Sequence, residues 1–266
     1  MSLVLYYSKT PNGAKPAILL NYMKQRKIID DFKIVFVNIA VGDQFTKEFL
    51  QVSPNNKIPA LVDHSPADGK GPIAVMESGA ILVYLAEKYS LTELLPPPSQ
   101  PRERADVLQW LFWQTSSQGP MLGQNHHFTR YAPVKLEYAM SRYTVEAERL
   151  YGVLNTLLSH GRPFMVGDKM TLADIATYPW CQVAAWHFID TADYPHVKAW
   201  VERMRAVDFV KTAQTLALPK DDRQPTYEDR IRLFGIKKDV LERLNLLPPS
   251  LESEAKQHFE KRAAKL

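Results

Sequence analysis

The chain carries the sequence SPNNKIPALVD at residues 53–63 and the sequence ESGAI at residues 77–81. The first begins as a loop and enters a strand through the Ile58-Pro59 bond, a position where proline's missing N–H is tolerated. The second opens an apolar helix with an acid and a hydroxyl. An extended peptide can pair with exposed backbone groups as an added strand, and a helix N-terminus attracts a carboxylate. Together the two stretches predict a pocket for a small peptide bearing a carboxylate and an amine.

Each of these features also has a purely structural alternative. Pro59 alone is compatible with an ordinary loop, although proline is the residue at which cis peptide bonds occur. Glu77 and Ser78 alone are compatible with capping of their own helix. In the pocket interpretation, the Glu77 carboxylate holds an ammonium group. Ser78 then binds a carboxylate at the positive end of the helix dipole.

The sequence TPNG at residues 10–13 lies between the first predicted strand and the first predicted helix. The hydroxyl of Thr10 and the amide of Asn12 can donate hydrogen bonds to a ligand thiolate, which a helix N-terminus also stabilises. The turn holds no cysteine, so the reactive sulfur must come from the ligand. A turn without chemistry is the alternative. Tyr6 and Tyr7 offer another hydroxyl, but strand alternation lets at most one face the pocket, and we prefer Thr10 and Asn12.

The composition is that of an ordinary globular protein, with 45% apolar residues, 23% charged residues and a net charge of +4. A length of 266 residues allows one large core or two modest ones. No basic run indicates nucleic acid, and no apolar stretch approaches the roughly 20 residues of a membrane helix. The amino terminus resembles a strand more than a signal peptide. A single cysteine, Cys181, suits a reducing compartment, so we expect a cytosolic protein with neither nucleic acid nor membrane as partner.

The predicted domain organisation combines an α/β unit with an all-helical unit. It comprises an α/β domain at residues 1–90, a proline-rich linker at 91–101, a helical domain at 102–218 and a charged extension at 219–266. We predict strands at 3–7, 33–38, 60–62 and 73–76, and helices at 14–26, 45–52, 77–89, 102–115, 134–160, 239–246 and 251–266. Gly119-Pro120 is expected to interrupt the helix before it. Thr171 and Asp174 have the spacing of a capping box that starts a buried helix.

These residues, with the sequences QWLFWQ at 109–114 and GPMLGQNHHF at 119–128, resemble the glutathione transferase superfamily over about residues 3–215. The two later sequences resemble its nu class and the related fungal nitrogen-regulator-like branch. The resemblance implies a thioredoxin-like N-terminal domain followed by an all-helical glutathione-transferase C-terminal domain. It also implies a homodimer whose subunits meet near the ligand.

The resemblance assigns site residues to the parts of glutathione. Thr10 and Asn12 lie near the sulfur, the Ile58 backbone pairs with the cysteinyl unit before a cis Pro59, and Glu77 and Ser78 bind the γ-glutamyl end. Gln44 and Lys57 reach the glycyl carboxylate, and Arg142 also contacts glutathione. Glutathione is thus the expected co-substrate, and no metal is expected: adjacent His126 and His127 do not share a helix face.

The implied activity is glutathione-dependent disulfide reduction, with weaker conjugation of electrophiles. A non-enzymatic glutathione-binding regulator remains the alternative, because a fold does not determine a function. An interaction module that depends on the charged extension is a further alternative.

Overall fold

The computed structural model describes residues 2–132 and 134–224, and beyond them residues 226, 229, 232 and 233. The amino-terminal unit runs β1 (Leu3–Tyr7), α1 (Pro11–Gln25), β2 (Lys33–Phe36), α2 (Lys47–Val52), β3 (Ala60–Asp63), β4 (Ile73–Met76) and α3 (Ser78–Lys88). The second unit runs α4 (Pro101–Trp113), α5 (Gly119–His126), α6 (Glu137–Leu158), α7 (Leu172–Cys181), α8 (Pro195–Ala206) and α9 (Asp208–Gln214). The linker predicted at residues 91–101 lies between α3 and the first residue of α4. The division of the chain into domains stays a prediction.

One four-stranded sheet organises the amino-terminal unit in the order β2-β1-β3-β4. Strand β1 is parallel to β2 and antiparallel to β3, which is antiparallel to β4. Alternate residues of β1, namely Leu3, Leu5 and Tyr7, are buried, as the period of a strand requires. This is the predicted thioredoxin-like arrangement, and its core continues without a break into α4, α6, α7 and α8.

Helix α1 begins at Pro11, three residues before the predicted start. Thr10 is the N-cap, and its Oγ1 accepts a hydrogen bond from the Gly13 amide at 3.1 Å. The prediction of a separate turn at residues 10–13 was therefore wrong, since a hydroxyl cap followed by proline is also a helix start. Gly13 is needed because a Cβ there would lie 2.3 Å from the Ser8 carbonyl oxygen.

The chain stays helical from Pro101 to Tyr131, so the predicted interruption at Gly119-Pro120 was wrong. Residues 114–118 and 127–131 are π-helical turns between the α-helical segments. The Gly119 amide bonds to the Gln114 carbonyl, five residues back. A π turn widens the helix by one residue per turn, which lets it continue into a proline that lacks an N–H.

The predicted capping box at the start of α7 is confirmed. One Asp174 oxygen accepts from the Thr171 amide at 2.9 Å and the Thr171 hydroxyl at 3.1 Å. The other accepts from the Met165 amide and from the Trp200 indole, both at 2.9 Å. The carboxylate is fully buried, and burial raises its pKa although the four donors oppose the shift. The bond from Trp200 joins α7 to α8.

The described part of the carboxyl-terminal extension packs against the loop that precedes α2. The Arg223 guanidinium donates two hydrogen bonds of 2.8 Å to the Asp43 carboxylate, and Asn38 donates to Asp221 at 3.0 Å. Arg232 lies 5.5 Å from the centre of the Phe45 ring. The helices predicted at 239–246 and 251–266 lie outside the described residues.

Candidate functional site

A cleft of about 420 Å³ lies between the two units. One wall comes from the start of α1, the loop before β3 and the start of α3. The other comes from the first π turn, α5 and α7. The residues that line the cleft are Asn12, Lys15, Ser53, Asn55, Lys57, Ile58, Pro59, Glu77, Ser78, Thr115, Gly119, Pro120, Gly123, Gln124 and Trp180. Six predicted site residues are therefore gathered here, although they come from three separate segments.

Asn12 has a defined side-chain orientation. Its Oδ1 accepts a hydrogen bond of 3.0 Å from the indole Nε1 of Trp180, across the boundary between the two units. An indole N–H can only donate, so the amide oxygen of Asn12 must face Trp180 and its NH₂ group is left for the cleft. A donor at the amino-terminal end of a helix suits a thiolate.

Thr10 lies beside this donor as the N-cap of α1. Because its oxygen already accepts from the Gly13 amide, its single O–H remains a donor. It is half-buried and lies next to the lining residues rather than among them. Thr10 and Asn12 thus offer two donors near one helix end. Their contact with a thiolate stays a prediction.

The loop before β3 forms the side of the cleft where an extended peptide would pair. The Ile58-Pro59 bond is cis, as predicted. The Ser53 hydroxyl donates to the Lys57 carbonyl at 2.8 Å and closes this loop. Lys57, Ile58 and Pro59 all line the cleft, so this predicted group is brought together.

Glu77 and Ser78 form the floor at the start of α3. Glu77 has φ +68°, a value that non-glycine residues adopt at a cost of about 1–3 kcal/mol and mostly at functional sites. Its carboxylate is exposed and accepts from the Asn55 amide at 3.3 Å. Ser78 is buried, and the first N–H groups of α3 have no acceptor inside the helix. The floor therefore presents an acid beside an anion-binding helix end.

Lys15 is a site residue that the sequence reasoning did not identify. It is 1% exposed, and its Nζ donates to Ser78 Oγ at 3.1 Å and to Gln114 Oε1 at 2.5 Å. Burial lowers the pKa of Lys15 to about 7, against the opposing attraction of Glu77. A lysine among the apolar residues of a helix is ordinarily solvated. The one sequence signal that could have identified Lys15 is its position three residues after Asn12, on the same helix face.

Two predicted residues lie away from the cleft. Gln44 is buried, and its amide donates to the Ile39 carbonyl at 3.3 Å. Arg142 is exposed on α6. Neither lines the cleft, so their contacts with glutathione stay predictions. Neither Tyr6 nor Tyr7 lines the cleft. The Tyr6 ring packs against Phe49. Tyr7 is buried, and burial raises the pKa of its hydroxyl.

Other reactive side chains have structural environments. Cys181 is buried, and burial raises the pKa of its thiol to about 12, which keeps it protonated. Burial also lowers the pKa of His126 and His127. Within the described ranges, no three side chains of the His, Cys, Asp and Glu types are grouped as a metal site would need. No helix among the same residues is long and apolar enough to cross a membrane.

Comparison with known families assigns both units. The family described as "Glutathione S-transferase, N-terminal domain" matches residues 5–97, and "Glutathione S-transferase, C-terminal domain" matches residues 131–208. The chain therefore belongs to the glutathione S-transferase superfamily.

Two curated relatives are similar over most of the chain. Disulfide-bond oxidoreductase YfcG of Escherichia coli is 50% identical over 202 residues, which cover 76% of this chain and 89% of YfcG. The transcriptional regulator URE2 of Saccharomyces cerevisiae is 32% identical over 233 residues, covering 74% of this chain and 63% of URE2.

Solved structures share the fold. A glutathione transferase family member from Pseudomonas fluorescens, with two glutathione bound, superimposes with a TM-score of 0.72 at 36% identity, over 80% of this chain and 92% of that one. A glutathione transferase from Pseudomonas putida, with one glutathione disulfide bound per subunit, has a TM-score of 0.72 at 33% identity, over 80% and 91%.

Proposed function

We propose that this protein binds glutathione in the cleft and uses its thiolate to reduce disulfides. The observation that carries the proposal is the pair of donors at the start of α1. The Thr10 hydroxyl and the Asn12 amide are each oriented by a partner that occupies their oxygen. A thiol whose pKa falls from about 8.5 toward 7 gains about tenfold in thiolate at neutral pH.

The reaction needs no protein sulfur. The glutathione thiolate attacks one sulfur of the substrate disulfide, so that a mixed disulfide forms, the substrate S–S bond breaks and the leaving thiolate takes up a proton. A second glutathione thiolate then attacks the glutathione sulfur of the mixed disulfide, which yields glutathione disulfide and the second thiol. Two glutathiones are oxidised for each disulfide reduced. The bound ligands named for the two Pseudomonas relatives support this stoichiometry.

The residue assignments follow the cleft. In the proposal, the Ile58 backbone pairs with the cysteinyl unit beside Pro59, Lys57 faces the glycyl carboxylate, and Glu77 and Ser78 bind the γ-glutamyl end. Thr10 and Asn12 stabilise the thiolate. The same thiolate attacks electrophilic carbon less efficiently, so conjugation is a minor activity.

Finer features belong to the same proposal. We place the chain in the nu class, on the basis of its residues 109–114 and 119–128, and in the cytosol, where glutathione is kept reduced. We also propose a homodimer. Exposed large side chains on α4 and α6, Phe112, Tyr138 and Val145, are 63%, 82% and 59% exposed and support a covered face there.

A regulatory function is the second candidate, because the yeast relative is named a transcriptional regulator. In that case glutathione would bind in the same cleft, and turnover would be negligible. Binding and turnover must therefore be measured separately.

The decisive experiment measures reduction of bis(2-hydroxyethyl) disulfide by glutathione, together with calorimetric glutathione binding. Wild-type protein is compared with Thr10→Val, Thr10→Ser and Asn12→Ala, with the exposed Thr92→Ala as control. We expect Thr10→Val and Asn12→Ala to lower kcat about 100- to 1,000-fold, as loss of one oriented donor to a developing or resident anion does. Thr10→Ser should retain most activity because it keeps the hydroxyl.

The outcomes separate the two candidates. Binding without turnover of any disulfide or electrophile by the wild type would favour the regulatory function. No binding of reduced or oxidised glutathione at millimolar concentration would overturn both. Sedimentation velocity tests the dimer, which a monomeric wild type at micromolar concentration would contradict.

A further inference from the structure

The described start of the carboxyl-terminal extension is bonded to one loop of the amino-terminal unit, residues 38–46. The Arg223 guanidinium donates two hydrogen bonds of 2.8 Å to the two oxygens of Asp43. It also donates to Asp221, whose carboxylate accepts from the side-chain amide of Asn38 at 3.0 Å. A single exposed ion pair contributes little, whereas a bidentate arginine within a network of charges holds its geometry. The loop is therefore attached to the extension at two positions.

Two further contacts continue this attachment along the same loop. Arg232 lies 5.5 Å from the centre of the Phe45 ring, which is a cation–π distance. The Asp229 carboxylate lies against Gly42, where a Cβ would come within 2.6 Å of its Oδ1. The missing side chain at Gly42 therefore leaves space for this approach. We call residues 221–224, together with Asp229 and Arg232, the strap.

The loop that the strap contacts leads directly to one end of the cleft. Thr46, its last residue, is the N-cap of α2, and α2 ends at Ser53, which lines the cleft. The Ser53 hydroxyl donates to the Lys57 carbonyl at 2.8 Å, and Lys57 lines the same wall. One short helix thus connects the strapped loop to the residue that we assign to the glycyl carboxylate.

Helix α2 depends on contacts outside itself. A helix of six residues is not stable alone, and the buried Phe49, packed against Tyr6, attaches α2 to the sheet. The strap adds an attachment at the preceding loop. A segment that must become ordered when a ligand binds loses conformational entropy at that step, whereas a segment that is already ordered does not. An attachment within the same chain therefore favours binding at the end of the cleft that α2 carries.

We propose that the strap is a positioning element that holds residues 38–46, fixes α2 and Ser53, and so preorganises the end of the cleft that receives the glycyl residue. The inference rests on the proposed function, in which Lys57 faces the glycyl carboxylate. It gives the carboxyl-terminal extension a part in ligand selection, although the strap itself does not line the cleft. The extension should favour glutathione over a thiol that lacks the glycyl residue.

The test compares glutathione with γ-glutamylcysteine, which lacks the glycyl residue. Both thiols are titrated calorimetrically into the full-length wild type and into Arg223→Gln/Arg232→Gln, which removes both strap cations. Lys24→Gln is the matched control, because Lys24 also forms an exposed ion pair in the amino-terminal unit, 2.9 Å from Asp31, and lies outside the cleft. Hydrogen exchange of residues 38–52 in the ligand-free protein measures the order of the loop and α2.

We expect the strap variant to bind glutathione about fivefold more weakly or worse, and to bind γ-glutamylcysteine within about twofold of the wild type. Its amides at residues 38–52 should exchange faster, with no change in Lys24→Gln. Asp43→Asn removes the carboxylate from the other side of the contact. It should cause a similar loss of preference, and combining it with the strap variant should add little.

The failures of the inference and of the proposed function are distinguishable. A strap variant that binds both thiols as the wild type does, or that loses the same factor with both, would overturn the inference and leave the proposed function intact. Unchanged exchange at residues 38–52 would show that the strap does not hold the loop, which also overturns the inference. If the wild type binds neither thiol, the proposed function fails, and this inference fails with it.

Discussion

The indole of Trp180 donates its N–H to the side-chain oxygen of Asn12 at 3.0 Å, across 168 residues of sequence. This bond sets the direction of the amide that we assign to the thiolate. Trp180→Phe keeps an aromatic ring but removes the indole N–H, so the Asn12 amide is free to rotate by 180°. We expect kcat for disulfide reduction to fall about tenfold while glutathione affinity changes little. Steady-state kinetics and calorimetry measure the two effects separately.

The control is Trp186→Phe, since Trp186 is 49% exposed and outside the cleft. The Asn12→Ala background gives a second check. If Trp180 acts through Asn12, adding Trp180→Phe to that variant should cost little more. Fully additive losses would show that the indole has another role.

Gly119 is a position where one methyl group should disturb the site. A Cβ there would lie 3.0 Å from Gln114 Nε2 and 3.5 Å from Trp180 Nε1, so alanine presses on the partners of both Lys15 and Asn12. We expect Gly119→Ala to lower the free energy of unfolding by about 1–2 kcal/mol and to weaken glutathione binding. Urea unfolding and calorimetry provide the two readouts.

Gly152 is the matched control on α6, because a Cβ there would meet nothing within 4 Å. Gly152→Ala should raise the free energy of unfolding by about 0.5–1 kcal/mol through helix propensity and leave activity unchanged. A Gly119→Ala variant as active and as stable as Gly152→Ala would contradict the packing argument.

Lys15 should make the free energy of unfolding of the ligand-free protein rise with pH between about pH 7 and 10. Burial lowers its pKa to about 7 in the folded chain, whereas the unfolded chain keeps the ordinary value. Between about pH 7 and 10 the unfolded state therefore binds more protons, and the contribution of Lys15 to the free energy of unfolding rises with pH. Below pH 7 Lys15 is protonated in both the folded and the unfolded state, so the folded state bears the full cost of burying its charge.

The measurement is the difference in urea unfolding free energy between the wild type and Lys15→Met at pH 6.5 and pH 9. We expect this difference to shift in favour of the wild type by on the order of 2 kcal/mol at the higher pH. A difference independent of pH would mean that Lys15 titrates as a solvated lysine does.

Even the replacement of Asp174 by asparagine, its amide counterpart, should destabilise the fold. Its two oxygens accept four hydrogen bonds, so Asp174→Asn places an NH₂ group against two donors. We expect a loss of about 3 kcal/mol in the free energy of unfolding, compared with less than about 0.5 kcal/mol for the exposed Asp168→Asn. Equal unfolding midpoints for the two variants would be inconsistent with the buried network.

Local patterns were sufficient to predict the strands and several site residues. The alternation in residues 3–7, the Ile58-Pro59 bond and the Thr171–Asp174 spacing depend on neighbours close in sequence, and all three agree with the structure. The start of α1 was missed because a capping hydroxyl and proline also suit a turn. The π turns were missed because glycine and proline ordinarily end a helix.

The remaining features depend on contacts between distant segments. Lys15 is buried because Ser78 and Gln114, 63 and 99 residues away, provide acceptors for it. Asn12 is oriented by a residue of the other unit. Gln44 was assigned to the ligand by resemblance alone, and its bond to the Ile39 carbonyl turns its amide inward. Sequence patterns do not encode such pairings directly.

The division of the cleft between two units has a practical consequence. A chain severed in the proline-rich connection between α3 and α4 would separate Asn12 from Trp180 and Lys15 from Gln114. Neither fragment would hold a finished reaction centre, and turnover would return only on reassembly. Enzymatic activity is thus an intrinsic reporter of docking between the halves.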